Sequence, residues 1–338
     1  MELRLVHIYY PENKSNELQN ILEQHQNLDQ RYQKLNGDWL QMQILMPENE
    51  IEKLTDELTQ SFADVKGFRV NILNVAATIP RPEPPEKENN AVQPEPGPEP
   101  VKKPAPRISR EELYSGISSA TEISRNFIVL LGLSSIVAAL GLQQNNLVII
   151  IGAMVIAPML GPNIALALAT TLGDADLARR ALKASGVALA VVLVFSLLLG
   201  FVLDVNPNTP EVVSRTQVNI QDIVIALASG SAGALAFTTS LSAALVGVMV
   251  SVAILPPLVT FGMLSGRLLW HPALGALLLF AINIVALNLA AVGTFIFQGI
   301  RPAKWWEAEK AKKATRIAVV SWLLLLIILA VLIVLSQK

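Results

Sequence analysis

The stretch Ile149-Ile-Ile-Gly-Ala-Met-Val-Ile-Ala-Pro-Met-Leu-Gly-Pro-Asn-Ile164 is apolar enough to lie in a bilayer. It nonetheless contains two glycines and two prolines, which weaken or break helices. The stretch Gly247-Val-Met-Val-Ser-Val-Ala-Ile-Leu-Pro-Pro257 lies 95 positions later and repeats its order of Gly, Met, Val, Leu and Pro. Two broken apolar segments at matching places in two halves of a chain indicate a transporter-like site. The two stretches are therefore the candidate location of such a site.

The residues at the two breaks are the candidate solute-contacting residues, because each proline removes a backbone N–H group from a helix. Groups freed in this way are tolerated at membrane depth only where protein or water satisfies them. They can coordinate a cation or present a helix N-terminus to an anion. The alternative is a kink that only shapes packing. The candidates are Pro158, Gly161, Pro162, Asn163, Pro256 and Pro257.

Few polar side chains lie within the apolar segments. Asn163 follows Gly161-Pro162, and we expect it either to cap a new half-helix or to line a cavity. Asn283 and Asn288 are expected to join helices rather than bind a solute, with a polar pathway as the alternative. In Leu227-Ala-Ser-Gly-Ser-Ala-Gly-Ala234, small residues recur at a spacing of four, which predicts a close helix contact.

The composition is that of a membrane protein. The chain has 338 residues, of which 52% are hydrophobic and only 16% are charged, whereas soluble domains average about a quarter charged. The formal net charge is -1, and the charges concentrate before residue 125, at residues 174–183 and at residues 301–316. The chain has no cysteine, which excludes disulfides and thiolate metal sites.

Seven apolar segments indicate seven membrane spans, with six as the alternative. A helix needs about 20 apolar residues to cross the hydrocarbon core. The first and fourth segments are short and are followed by polar turns, so each could form a hairpin or a re-entrant element with the next. The segments cover residues 126–142, 147–171, 184–203, 222–238, 241–264, 273–297 and 317–335.

The basic residues predict the orientation, because short cytoplasmic loops are rich in Lys and Arg. The start of the chain has neither a basic region nor a long apolar core, so no cleavable signal peptide is expected. With the N-terminus inside, the basic clusters before the first span, after the second and after the sixth all face the cytoplasm. The predicted location is the bacterial inner (plasma) membrane, and the spans contact membrane lipids.

The offset of 95 residues extends beyond the two central stretches. Ile128-Val-Leu-Leu-Gly132 resembles Ile223-Val-Ile-Ala-Leu227 in character, and Ala181-Leu182 aligns with Ala276-Leu277. The repeating unit would be three spans, so the second copy would be inverted in the membrane. The predicted fold is an α-helical membrane bundle with a 3+3 inverted repeat plus one span. Chance identity among apolar residues is the alternative.

A soluble domain precedes the bundle. Residues 1–79 alternate strand and amphipathic helix patterns in the order β-α-β-β-α-β, which predicts an α+β ferredoxin-like domain. Residues 80–107 are rich in Pro and Glu and are expected to be a disordered, semi-stiff spacer. Ser109-Arg-Glu-Glu112 is a capping box that starts a helix reaching to about residue 124. The membrane domain is expected to cover residues 108–338.

Several function classes lack sequence support. No Asp, Glu, Lys, Arg or His lies deep within an apolar segment, which disfavours a carboxylate-driven antiporter. No nucleotide loop, metal motif or nucleophile elbow is recognisable, so neither an enzyme nor a cofactor is expected. The basic cluster near residue 310 suits anionic headgroups rather than nucleic acid.

The sequence resembles a known family. Ser124-Arg-Asn-Phe-Ile-Val-Leu-Leu-Gly-Leu-Ser-Ser-Ile-Val-Ala-Ala-Leu-Gly-Leu142 and the block Ala157-Pro-Met-Leu-Gly-Pro162 are similar to the bacterial family catalogued as domain of unknown function 389. The similarity covers about residues 120–265, and the proline-rich linker resembles cyanobacterial members. The resemblance implies a multi-pass membrane protein and no settled function.

Two functions fit these patterns. The first is a transporter or channel for an unidentified small solute or ion, regulated by the cytoplasmic domain. The second is a non-transporting, membrane-anchored sensor or scaffold. A homo-oligomer is compatible with either, because small residues line several spans.

Overall fold

The computed structural model describes residues 3–35, 37–75, 78, 108–239, 243–301 and 305–336, without the side chains of 243–250, 252, 305–314 and 334–336. The chain separates into two compact units, Met1–Glu112 and Leu113–Lys338. The predicted spacer at residues 80–107 lies outside the described residues.

The N-terminal unit contains a four-stranded sheet in the order β2-β3-β1-β4. Every neighbouring pair of strands is antiparallel. The predicted element order β-α-β-β-α-β is confirmed, and this strand order is that of a split βαβ arrangement. The elements are β1 (Leu3–Pro11), α1 (Ser15–Leu22), β2 (Asp29–Lys34), β3 (Trp39–Pro47), α2 (Glu48–Ser61) and β4 (Arg69–Asn74).

Alternation along the strands builds the core of this unit. Val6, Ile8 and Tyr10 are buried on one face of β1 and belong to one hydrophobic cluster with side chains of α1 and α2. Both helices therefore cover the same face of the sheet. The edge strand β2 is exposed along its whole length and has charged residues at both ends, a composition that discourages edge-to-edge association.

A buried arginine joins the first strand to the start of helix α3 (Arg110–Ser119). Arg4 is 2% exposed and lies 2.6 Å from Glu48 Oε1 and 3.1 Å from Glu112 Oε2. Half of the predicted capping box is present, because the Glu112 N–H donates to Ser109 Oγ over 3.3 Å. The Glu112 side chain pairs with Arg4. The predicted helix end near residue 124 is wrong, since Ser124 caps the next helix by accepting from the Phe127 N–H.

The second unit is helical, and each predicted apolar segment falls on a helix or a helix pair. In the described ranges, five helices are long and apolar enough to cross a membrane, and the bent pair α5 and α6 would be a sixth. The described apolar part of α10, Ala253–Gly266, is shorter. The helices are α4 (Arg125–Gln143), α5 (Leu147–Ile156), α6 (Leu160–Leu172), α7 (Ala175–Val202), α8 (Pro210–Thr216), α9 (Ile220–Thr238), α10 (Ala243–Gly266), α11 (Trp270–Phe297) and α12 (Trp305–Ser336).

Glycines allow close helix contacts in this unit. A Cβ on Gly200 of α7 would lie 2.3 Å from the carbonyl oxygen of Met263 in α10. A Cβ on Gly230 of α9 would lie 2.5 Å from the carbonyl oxygen of Leu287 in α11. The close contact predicted from the small-residue pattern around Gly230 is therefore confirmed. These glycines hold α7 closely against α10 and α9 closely against α11.

Candidate functional site

The first central stretch contains a true interruption between α5 and α6. Helix α5 ends at Ile156, Ala157 is extended with φ -72° and ψ 117°, and α6 begins at Leu160. Pro158 accounts for this geometry, because it disfavours a helical conformation in the preceding residue and has no N–H to donate. The two helices are bent by 55° at this point.

Pro162 and Gly161 have structural roles in the first turn of α6. A proline is tolerated there, because the first N–H groups of a helix have no intrahelical acceptor. Gly161 is required by packing, since a Cβ on it would lie 2.6 Å from the Ala120 Cβ. A Cβ on Gly152 in α5 would meet no atom within 4 Å. Of these two glycines, only Gly161 is sterically enforced.

Asn163 does not cap a half-helix, so that predicted alternative is wrong. Helix α6 starts three residues earlier, at Leu160, and Asn163 lies inside its first turn. The Asn163 side chain is buried, and its Nδ2 donates to the carbonyl oxygen of Met159 over 2.8 Å. Its Oδ1 accepts from Nδ2 of Asn288 in α11 at 3.4 Å. Asn163 therefore links the break to α11.

Asn288 has an unpaired oxygen in the protein interior. The residue is 0% exposed, and its Nδ2 donates to the Ile284 carbonyl oxygen over 2.9 Å as well as to Asn163. No hydrogen-bond partner for Asn288 Oδ1 exists among the described residues. A buried acceptor without a donor is unfavourable by about 1–3 kcal/mol, so this oxygen requires an explanation.

The second central stretch is not broken, and the expected second break is wrong. Helix α10 continues through Pro256 and Pro257. Pro257 has no N–H to donate to the carbonyl oxygen of Ala253, and Nδ2 of Asn283 in α11 donates to that oxygen over 2.6 Å. Asn283 thus joins two helices, as expected from its sequence position, and replaces the hydrogen bond that proline removes.

The two central stretches meet at the break. Ser251 Oγ in α10 lies 3.5 Å from the carbonyl oxygen of Ala157, which also accepts from the Met159 N–H at 2.9 Å. A chain of polar groups therefore runs from α10 through the break to α11. We call Ala157, Met159, Asn163, Ser251 and Asn288 the break cluster. Sequence reasoning missed Ser251, which has no local signal, and identified Asn288 as a residue that joins helices, with a polar pathway as the alternative.

The chemistry of the break cluster is neutral. Its members contribute amide, hydroxyl and backbone groups, and none of them is titratable near neutral pH. In the described part of the chain, no group of three or more His, Cys, Asp or Glu side chains could hold a metal ion. The cluster can therefore bind a ligand through dipoles and hydrogen bonds, without a formal charge of its own.

A separate groove of about 240 Å³ lies on the sheet of the N-terminal unit. Arg31 and Asp29 on β2 form an exposed ion pair of 3.0 Å at its rim. The groove thus combines an apolar floor with both signs of charge, which suits a small polar ligand or a peptide segment. Its lining residues are Leu5, Asp29, Arg31, Gln43, Leu45 and Val75.

Comparisons with known proteins identify similarity to one family. Residues 154–289, which include the break cluster from Ala157 onward, match the family described as domain of unknown function (DUF389). An uncharacterized protein of Methanocaldococcus jannaschii is 36% identical over 301 residues, which is 89% of this chain and 89% of that protein. No solved structure matches this chain.

Proposed function

This chain belongs to the DUF389 family, and we propose that its helical unit is a transporter or channel for a small solute or ion. Its apolar helices make it a membrane protein. Neither the family description nor the archaeal relative specifies an activity, so the proposal rests on the site. The single observation that carries it is the interrupted helix with the unpaired, buried oxygen of Asn288 joined to it through Asn163.

The backbone at the break supports a role in transport. Irregular backbone at membrane depth is stable only inside protein or beside a polar cavity. The end of α5 presents carbonyl groups and the start of α6 presents N–H groups, so an interrupted helix offers both kinds of dipole to a ligand. Discontinuous helices with these properties form the substrate and ion sites of many secondary transporters. The break cluster provides such groups without intramembrane charge.

The contact between Ala157 and Ser251 supports the proposed inverted repeat. At the offset of 95 residues, Ala157 corresponds to Val252, which is the neighbour of Ser251 in sequence. Segments related by a two-fold axis approach each other closely where the axis passes between them. The pairing of α7 with α10 and of α6 with α11 also fits such an axis, since each couples the middle span of one half to the last span of the other.

Hydrogen bonds between segments near the ends of the spans support seven spans with the N-terminus in the cytoplasm. Tyr114 before the first span bonds to Asp174 after the second, and Thr315 of the last helix bonds to Thr170. On the proposed outer side, the Glu211 N–H donates to Asn145 Oδ1. Each of these bonds joins two segments that the seven-span topology assigns to the same side. The positive-inside rule then assigns the Tyr114 side, with Arg179 and Arg180, to the cytoplasm of a bacterial plasma membrane.

The N-terminal unit would regulate transport from the cytoplasm. Its groove between Arg31 and Val75 is the site at which a small effector would bind. Exposed apolar side chains on the long helices, such as Val194 at 56% and Phe201 at 60% exposure, would contact lipid or a second copy of the chain. The proposal therefore includes membrane lipids as partners and a homo-oligomer as the assembled form.

A second function, a non-transporting sensor or scaffold, has its own support. Asn283 already satisfies the Ala253 carbonyl oxygen, and Ala120 fills the space beside Gly161. Both observations are expected if the prolines only shape helix packing and no ligand binds there. In that case the helices would only anchor and assemble the N-terminal unit.

Flux measurements on reconstituted protein distinguish the two functions. Proteoliposomes containing the full chain are assayed against empty vesicles with monovalent cations, chloride and small neutral solutes. We expect flux of one class in the wild type and in Gly152→Ala, where the added methyl meets no atom within 4 Å. Flux in Asn163→Leu should fall at least about tenfold, since a loss of about 1.4 kcal/mol of stabilisation corresponds to a factor of ten.

Folding of each variant is checked by melting temperature and gel filtration. Equal flux in a folded Asn163→Leu variant would exclude the break cluster from the pathway. The absence of flux for every solute class, with a folded wild type, would favour the sensor or scaffold.

A further inference from the structure

We propose that Asn288 Oδ1 is a ligand for a small monovalent cation, which binds at the break cluster between α6 and α11. The inference rests on the proposed function and specifies the chemical class of the transported or coupled ion. It starts from a buried side-chain oxygen for which the described residues offer no donor.

The orientation of both amides is determined by their hydrogen bonds. Asn163 Nδ2 donates to the Met159 carbonyl oxygen, which turns Asn163 Oδ1 toward α11. Asn288 must then present its Nδ2 to Asn163 Oδ1, and the same Nδ2 also donates to the Ile284 carbonyl oxygen. A flip of Asn288 would place an oxygen against two other oxygens. The unpaired atom of Asn288 is therefore the acceptor, which selects a cation or a donor over an anion.

The prolines of the two central stretches leave two more backbone acceptors, one in α5 and one in α10. Pro158 and Pro256 have no N–H, so the carbonyl oxygens of Met154 and Val252, four residues earlier, receive no regular intrahelical hydrogen bond. Met154 lies in the last turn of α5, and Val252 follows Ser251, which contacts the break. Carbonyl ends of interrupted helices are the groups that coordinate Na⁺ in several transporters.

The charge of the surroundings limits the charge of the cation. The sequence places no Asp or Glu within the helical stretches 147–172, 243–266 and 270–297, to which the break cluster belongs. Divalent cations such as Ca²⁺ are usually held by several carboxylates, whereas neutral oxygens suffice for a weakly charged ion. Asn288 is completely buried, so the occluded site suits a bare ion better than a larger organic solute.

Thermal unfolding of the purified full-length protein in detergent tests the proposal without a flux measurement. Melting curves are recorded in LiCl, NaCl, KCl and RbCl against N-methylglucamine chloride at equal ionic strength. We expect one of the four alkali cations to raise Tm saturably by about 3 °C or more, because a ligand at many times its Kd stabilises the folded state. No saturable shift with any of them overturns the proposal.

Two variants separate ion binding from structure. Asn288→Leu removes the unpaired oxygen, so its Tm should be the same in all salts. Asn283→Leu should lower Tm through loss of the Ala253 bond and still keep the cation-dependent increase. A cation-dependent increase that persists in Asn288→Leu contradicts the proposal.

If Asn288→Leu does not fold, a saturable wild-type shift must be matched by binding of a radioactive isotope of that cation to the purified protein. Binding no greater than that of detergent micelles without protein then contradicts the proposal. The flux assay tests the transporter proposal separately. Cation stabilisation without flux would support the ion site and contradict transport. Flux without cation stabilisation would support transport and contradict the ion site.

Discussion

The α5–α6 pair and α10 have similar proline-containing sequences but different backbones. The first stretch is interrupted at Pro158 and bent by 55°, whereas α10 continues through Pro256 and Pro257. In α10 the Ala253 carbonyl oxygen, which loses its donor at Pro257, receives a hydrogen bond from Asn283. At the α5–α6 break the chain instead changes direction, and Ser251 approaches the Ala157 carbonyl oxygen at 3.5 Å.

The difference shows that a proline in an apolar stretch does not by itself determine whether a helix breaks. A neighbouring helix can supply a donor at a position that proline vacates, as Asn283 does for Ala253. One of the two central stretches is thus a packed structural element, while the other has irregular backbone that Asn163 links to an unpaired oxygen.

The largest loss of stability is expected from a substitution that separates α7 from α10. In Gly200→Ala, the new Cβ would lie 2.3 Å from the Met263 carbonyl oxygen and 2.8 Å from its Cα, both backbone atoms of α10. We expect the free energy of unfolding to fall by about 3 kcal/mol, at the upper end of the usual range for overpacking. Gly186→Ala on the same helix meets no atom within 4 Å and is the control. Equal melting temperatures for the two variants would contradict the close contact.

The second-largest loss of stability is expected from removal of Asn283, which donates a hydrogen bond to α10. Asn283→Leu leaves the Ala253 carbonyl oxygen without its 2.6 Å donor, and we expect a loss of about 2 kcal/mol in stability. Pro257→Ala restores a backbone N–H at the matching position. In that background Asn283→Leu should have much less effect. A double-mutant cycle of melting or denaturant curves measures the difference, and additive effects would show that Asn283 acts elsewhere.

A smaller effect distinguishes the two glycines near the break. Gly161→Ala places a methyl 2.6 Å from the Ala120 Cβ and should reduce stability by about 1–2 kcal/mol. Gly152→Ala meets no atom within 4 Å and should stabilise α5 by about 0.5–1 kcal/mol, because alanine favours helix more than glycine. The sign of the change in Tm is decisive. A stabilising Gly161→Ala would mean that α6 and Ala120 are further apart.

The smallest effect concerns Asp174, the N-cap of α7, which follows the end of α6. Burial opposes its ionisation, but hydrogen bonds from the Leu177 N–H, the Tyr114 hydroxyl and the Asp176 N–H, with nearby Arg180, lower the pKa of Asp174 below its ordinary value of 3.8. The ionised carboxylate therefore stabilises the fold at neutral pH, and this contribution is lost as the pH falls through the lowered pKa.

The variant Asp174→Asn should be less stable than wild type at neutral pH and should lose less stability between about pH 5 and about pH 3. Melting temperatures across this range check the prediction. Parallel acid dependence in both proteins would contradict the role of this carboxylate.

Local patterns were sufficient to predict most elements. Alternation along Leu3–Pro11 and the apolar face of Glu48–Ser61 predicted β1 and α2, because both patterns reflect burial on one side of an element. The break at Pro158 also follows from local sterics. The continuity of α10 could not be predicted, since its donor Asn283 is 30 residues away from Ala253. Likewise, neither the Asn163–Asn288 pair nor the Ser251 contact has a local sequence signal.

The pairing of Arg4 with Glu112 has a consequence for the length of the Pro- and Glu-rich segment that precedes α3. The Val75 N–H donates to the Leu3 carbonyl oxygen at the segment's start, and Glu112 pairs with Arg4 soon after its end, so both ends are held at adjacent residues of β1. The described residues on the two sides of this segment are thus fixed close to each other. For a flexible connection between two fixed points, each doubling of its length adds only about 0.6 kcal/mol to the entropic cost of closure. Natural variants of this chain can therefore differ widely in the number of residues between Val75 and Glu112 while the sheet and the start of α3 stay joined.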